Sequence, residues 1–126
     1  MKKRIPDGAV QHITAGPYSP VIEVDCTKLV VISGQAPLDL EGNIVGQTIE
    51  EQARCVLLNC QRQLDYAGCT FHDVFKCVVY MTDLEDWSRF NAVYCEMIPE
   101  PRPVRTAIGV DLLPGFRVEI EMWAVK

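Results

Sequence analysis

The sequence predicts an α+β sandwich, a mixed β-sheet with two helices packed on one face. Three observations predict it. Runs of alternating apolar residues open and close the chain. A long stretch of helical periodicity, Thr48 to Ala67, carries its own start and stop signals. The elements follow the order strands, helix, strand, helix, strands.

The first twenty residues hold Pro6, Gly8, Gly16, Pro17 and Pro20. They read as an irregular arm with one short strand near Val10 to Ile13. VIEVDC (21–26) and LVVISG (29–34) read as two strands joined by a tight turn at Asp25 to Lys28. LDLEGNIVG (38–46) is turn-rich around Gly42 and Asn43, with Ile44 and Val45 as a short extended piece.

In the first helix, Thr48 and Glu51 have the spacing of a capping box, each satisfying the other's backbone donor. Ile49, Ala53, Val56, Leu57, Cys60, Leu64 and Ala67 form one stripe. Gly68 stands where a left-handed terminator belongs. DVFKCVVYM (73–81) is β-branched and aromatic, as a strand should be.

The second helix starts after Thr82 and Asp83, or at Asp86. Trp87, Phe90, Tyr94 and Met97 form its apolar stripe, and Pro99 and Pro101 end it. Pro103 to Val110 and Phe116 to Val125 alternate as strands around a turn at LLPGF (112–116). Two helices cover one sheet face. The other keeps apolar residues, which points to an oligomer.

The chain has 126 residues, with 48% hydrophobic and 23% charged. That suits a single domain over residues 1–126. Its net charge is −5, and its one basic cluster, Lys2 to Arg4, reads as a solvated end, so a nucleic-acid partner is not expected. No apolar run has the length of a membrane span. The opening MKKRIPDGAV lacks the apolar core of a secretory signal, so a cytoplasmic location is expected. Six cysteines include no C-x-x-C pair. They read as reduced small hydrophobes, and no metal site is expected. His12 and His72 read as surface residues.

Candidate site residues stand out by position. Arg105 sits in a strand, flanked on its own face by Ala107 and Gly109; Val104, Thr106, Ile108 and Val110 form the other face. Glu119 sits within RVEIEMW (117–123). Two readings stand. In one, the strand face is wet and Arg105, Arg117, Glu119 and Glu121 form weak ion pairs. In the other, Arg105 holds a small carboxylate in a pocket that its small neighbours leave open, and a glutamate orients a water. Gly34, at the end of an apolar strand, either admits a ligand to the backbone or relieves crowding. Tyr18, between two prolines, caps a pocket or packs on a neighbour. Asn91 lies beside the second helix's stripe and needs a partner if buried.

These stretches together resemble the RidA/YjgF family. They are GPYSP (16–20), VVISGQAPLD (30–39), the capped helix with its following strand and helix, and PVRTAIGV (103–110) with VEIEMWAVK (118–126). The resemblance runs from about Gly16 to the C-terminus. It implies a chorismate-mutase-like α+β fold and a homotrimer with sites in clefts between subunits. It implies an enamine/imine deaminase that needs no cofactor and hydrolyses 2-imino acids to 2-keto acids and ammonia. Arg105 would then grip the substrate carboxylate and Glu119 would place the attacking water. Tyr18 would close the pocket, Gly34 would line it, Asn91 would support it, and the Ala107 backbone would add a donor. Many members carry cysteine where this chain has Ala107 and serine where it has Thr106. That departure keeps a second reading open, a 2-keto acid binding or sensing module without turnover. A third, an RNA-cleaving translation inhibitor, conflicts with the acidic charge.

Overall fold

A computed structural model describes residues 2–126. In chain order the strands and helices are β1 (Lys3–Arg4), β2 (Glu23–Val24), β3 (Leu29–Gln35), α1 (Ile49–Tyr66), β4 (Val74–Met81), α2 (Trp87–Met97), β5 (Val104–Gly109) and β6 (Val118–Val125).

Helix α1 forms where its periodicity and caps place it. The Thr48 side chain accepts from the Glu51 amide, and the Glu51 carboxylate accepts from the Thr48 amide. Gly68 adopts φ +74°, the left-handed conformation that ends the helix without a Cβ penalty. Leu57 and Leu64 on its inner face are 0% exposed. Burying each contributes ~1.5–3 kcal/mol, more than the ~1 kcal/mol of the cap. Packing on the sheet therefore holds the helix in place, and the cap sets where it starts.

Strands β3, β6, β4 and β5 form one sheet in that order. β4 and β5 run parallel, and the other pairs are antiparallel. Val118, Ile120, Met122 and Ala124 of β6 are buried beneath the helices, as their alternation predicts. So are Cys77, Val79 and Met81 of β4. α2 follows a short 3-10 turn over Leu84–Asp86. Arg54 meets Glu96 at 2.7 Å and Arg89 meets Glu50 at 2.6 Å, tying the two helices together along their exposed edge.

The N-terminal third departs from the expectation. Val10 to Ile13 is not a strand, and the 21–26 and 29–34 segments do not form a hairpin. β2 is two residues long and pairs with β1, while β3 pairs with β6 at the far end of the chain. Lys3 explains the pairing. Its Nζ donates to Val74 O (2.5 Å) and Pro101 O (3.0 Å), and the residue is buried. Burial lowers the Lys3 pKa, with Cys77 and Asp73 acting in the opposite direction. A lysine read as a solvated end is thus a hook that fixes the arm.

The open sheet face carries Leu29 and Val31, each 54% exposed, with Ile108 at the other edge. All six cysteines are free thiols; Cys60, Cys69 and Cys77 are buried. His12 and His72 are exposed, as expected.

Candidate functional site

Arg105 lies on the side of the sheet that the alternation left undecided. Its register partner in β4 is Cys77, a core residue, and the next pairs on that face are Val79 with Ala107 and Met81 with Gly109. Arg105 therefore points toward the helices and is only 9% exposed, while Thr106 and Ile108 face outward. The wet-face reading fails for this residue. Arg105 makes no ion pair with Glu119 or Glu121, and Arg117 turns away to donate to Gln47 O (2.7 Å).

Four aromatic rings surround the Arg105 guanidinium. Its central carbon lies 4.7 Å from the Tyr94 ring centroid, 4.9 Å from Trp87, 5.6 Å from Tyr18 and 5.8 Å from Phe90. Trp87, Phe90 and Tyr94 come from α2 at helical spacing. Tyr18 comes from the N-terminal arm. The Ser19 amide donates to Pro103 O (3.2 Å) and the Ser19 hydroxyl to Arg102 O, which seats that arm against the start of β5.

Rings alone do not compensate the charge. Each contributes up to ~2 kcal/mol when desolvated, while removing an ion from water costs several. Nε, Nη1 and Nη2 of Arg105 are all buried without a hydrogen-bond partner among the described residues. Burial accordingly lowers the Arg105 pKa. The neighbouring acids supply no counter-charge. Burial raises the Cys77 thiol to about 11 and lifts the Tyr94 phenol well above its ordinary value, so both are neutral near pH 7. The Tyr94 hydroxyl is spent on Cys77 Sγ (3.5 Å). Arg105 is thus a fixed, dehydrated cation with its donors unused, beside a cavity of about 240 Å³ that Tyr18, Ser19, Cys77 and Thr106 help to line. Such a group is built to receive a carboxylate or similar anion.

Asn91 belongs to the same region. It lies one turn beyond Trp87 on α2, and its Oδ1 is buried without a partner among the described residues. The partner that burial calls for is thus missing at this oxygen among the described residues. Ala107 shares the Arg105 face, half-buried against the core.

Glu119 and Gly34 form a second group, on the open face. Glu119 pairs with Tyr80 in β4, and the Tyr80 hydroxyl donates to Glu121. That bond, with the charges of Glu121 and Glu119, raises the Tyr80 pKa. Between Ile32 and Gln35 the register of β3 slips. The irregularity turns Gly34 toward Glu119, and a Cβ there would collide with the Glu119 carboxylate, its Cδ lying 3.1 Å away. Gly34 thus lets the Glu119 carboxylate approach its backbone closely, and it lies next to the last residue of β3.

One chain thus assembles Arg105, Tyr18, Asn91 and Ala107 on one side of the sheet, and Glu119 with Gly34 on the other. It does not bring the two groups together. Sequence reasoning missed the ring quartet and Cys77. Trp87, Phe90 and Tyr94 read as an ordinary core stripe, and only the face of β5 turned toward them reveals their second role. Among the described residues no three His, Cys, Asp or Glu side chains are placed to hold a metal ion. Among the described residues no helix is long and apolar enough to cross a membrane.

The chain is similar to known proteins over most of its length. The family model described as Endoribonuclease L-PSP matches residues 9–126. The chain is 39% identical over 126 residues to the 2-iminobutanoate/2-iminopropanoate deaminase of Capra hircus, covering 98% of this chain and 90% of that one. It is 31% identical over 130 residues to the mitochondrial protein mmf1 of Schizosaccharomyces pombe, covering 100% and 78%. The crystal structure of the YjgF gene product of E. coli superposes with a TM-score of 0.72 at 30% identity, covering 82% of this chain and 84% of that one.

Proposed function

The chain belongs to the YjgF/RidA family, and from that premise we propose that it is an imine deaminase, hydrolysing reactive 2-imino acids to 2-keto acids and ammonia. One observation carries the reading: Arg105 is buried, charged and, among the described residues, without a partner for any of its three nitrogens. A 2-imino acid offers the missing carboxylate, and its imine carbon is already electrophilic. The rings and the register with Cys77 hold the guanidinium still, so the acid is bound in one orientation.

In this reading Arg105 takes the substrate carboxylate, with the Ala107 amide as a further donor. Tyr18 closes the cavity and Asn91 offers its unused carbonyl to the nitrogen end of the substrate. Glu119 of a neighbouring subunit accepts a proton from water as the oxygen bonds to the imine carbon and the C=N π bond breaks. The proton passes to nitrogen, giving a carbinolamine; its hydroxyl then gives up its proton, which Glu119 carries to nitrogen, and as the C=O bond forms the C–N bond breaks and ammonia leaves a 2-keto acid. A homotrimer with one site per subunit boundary supplies both halves, and the apolar open face supplies the contact surface. The cytoplasmic location expected from the sequence remains part of this proposal; a relative at 31% identity is described as mitochondrial.

The test is the decay of 2-iminopropanoate generated in situ. The protein accelerates it, and Arg105→Ala abolishes the acceleration while leaving the far-ultraviolet circular dichroism unchanged. Decay at the same rate with and without protein, across several imino acids, would leave the reading without support. The departure at Thr106 and Ala107 favours one second reading, a 2-keto acid binding module. Calorimetric binding of 2-oxobutanoate with no imine turnover would select it.

A further inference from the structure

A second guanidinium stands next to the first. Arg102 lies just ahead of β5, and its Nε is buried without a hydrogen-bond partner among the described residues. Its Nη1 meets Glu100 Oε1 at 3.0 Å, but the Glu100 side chain is 78% exposed. An ion pair that open to water contributes ~0–1 kcal/mol and is readily exchanged for another carboxylate. Both Arg102 and Arg105 lie near enough to the Tyr94 phenol for their charges to act on it. Two cations therefore stand near one buried phenol, and the one anion paired with either of them, Glu100, is loosely held on Arg102.

The space beside Arg102 is larger than that beside Arg105. A cavity of about 560 Å³ lies between the N-terminal arm and the 100–102 segment, with Ile5, Tyr18 and Arg102 in its wall. It shares Gln11, Tyr18, Ser19 and Pro20 with the Arg105 cavity. The shared wall is braced. Gln11 Nε2 donates to Tyr18 O (2.7 Å), and Ser19 is bound to Arg102 O and Pro103 O. The two cavities are neighbouring compartments with one arginine each.

We propose that Arg102 forms a second anion subsite, and that the substrates this chain favours are 2-imino acids carrying a second, distal carboxylate. This rests on the reading of Arg105 given above. The α-carboxylate sits on Arg105, the side-chain methylenes pass the Tyr18 wall toward Ile5, and the distal carboxylate displaces Glu100 from Arg102. The adjacent, roomier compartment then selects a dicarboxylic substrate over a short aliphatic one.

The test is calorimetric titration of the folded, assembled protein with 2-oxobutanoate and with 2-oxoglutarate, the keto acids corresponding to the two substrate classes. Wild type binds 2-oxoglutarate about tenfold more tightly, the gain of one charge-assisted contact. Arg102→Ala removes that preference and leaves 2-oxobutanoate binding within about twofold. Glu100→Gln, which frees Arg102 without removing it, tightens 2-oxoglutarate severalfold. Equal binding of the two keto acids by wild type, or a preference that survives Arg102→Ala, overturns the subsite while leaving the Arg105 site standing. Retention of 2-oxobutanoate binding by Arg105→Ala overturns the Arg105 site and the subsite with it.

Discussion

Arg105 and Glu119 project from opposite faces of one sheet. Arg105 shares its face with the core residue Cys77, and Glu119 shares the other with Tyr80. No rotamer of either side chain carries it through the sheet, so within one chain the two cannot act on the same molecule. If they cooperate, they do so across a boundary between copies.

That geometry sets up a complementation experiment. Arg105→Ala and Glu119→Gln proteins are each expected to be inactive. Unfolded, mixed in equal amounts and refolded together, they are expected to regain about a quarter of wild-type imine hydrolysis, because random assembly places both intact halves at about one boundary in four. Activity that stays at the level of the separate variants would overturn a site shared between copies.

The uncompensated charge of Arg105 should be visible as stability. Arg105→Met replaces a buried cation lacking hydrogen bonds by an apolar chain among four rings. The unliganded variant is expected to be more stable than wild type by about 1–3 kcal/mol. It should also lose the rise in melting temperature that 2-oxobutanoate gives wild type. A variant less stable than wild type would mean that the rings and assembly already compensate the charge.

Gly34→Ala tests the contact between Gly34 and Glu119. The added methyl collides with a carboxylate at the end of a flexible side chain, so the carboxylate moves and the strand survives. Turnover is expected to fall at least tenfold, with 2-keto acid affinity at Arg105 nearly unchanged. Equal losses in kcat and in affinity would place Gly34 in ligand binding rather than in the positioning of Glu119.

The Cys77 thiol makes stability depend on alkaline pH. Burial raises its folded-state pKa from 9.0 to about 11. Its contribution is therefore complete below pH 9 and is lost as pH rises through about 11, a change on the order of 2–3 kcal/mol. Urea unfolding between pH 8 and 11 should show a shallower decline in Cys77→Ala than in wild type, on a lower baseline. Tyr94 and Lys3 both feel Cys77, so the difference reads the thiol together with its effect on these two neighbours. Parallel curves would remove Cys77 from the account.

Helix α1, the inward residues of β6 and the identity of β4 and β5 were legible because each follows from local chemistry. Thr48 and Glu51 need only each other, and an alternating strand needs only one apolar partner surface. The N-terminal pairing was not legible, because it depends on Lys3 reaching carbonyls at Val74 and Pro101, more than seventy residues away. Arg105 and Glu119 could be picked out as misplaced charges in strands. Their faces could not, since the alternation of β5 is a pattern with two inversions and the apolar set turned out to be the outer one. Gly34 was legible as a close approach, but the residue approaching it was fixed by a register slip that no spacing reveals. Gln52 and Asn59 were missed for a related reason. Both are buried on α1, where Gln52 binds Gly46 O, Gly115 O and the Arg117 amide, and polar residues on an inner face have no periodic signature.

The chain's two indoles fall on the two sides of the sheet. Trp87 stands 4.9 Å from the Arg105 guanidinium, and Trp123 lies on the outer surface beneath Lys76. Fluorescence from the first is therefore expected to change if a small molecule reaches Arg105, and fluorescence from the second if copies associate through the open face. With Trp123→Phe and Trp87→Phe as single-emitter variants, occupancy and assembly become separately observable in one cuvette, without an attached dye.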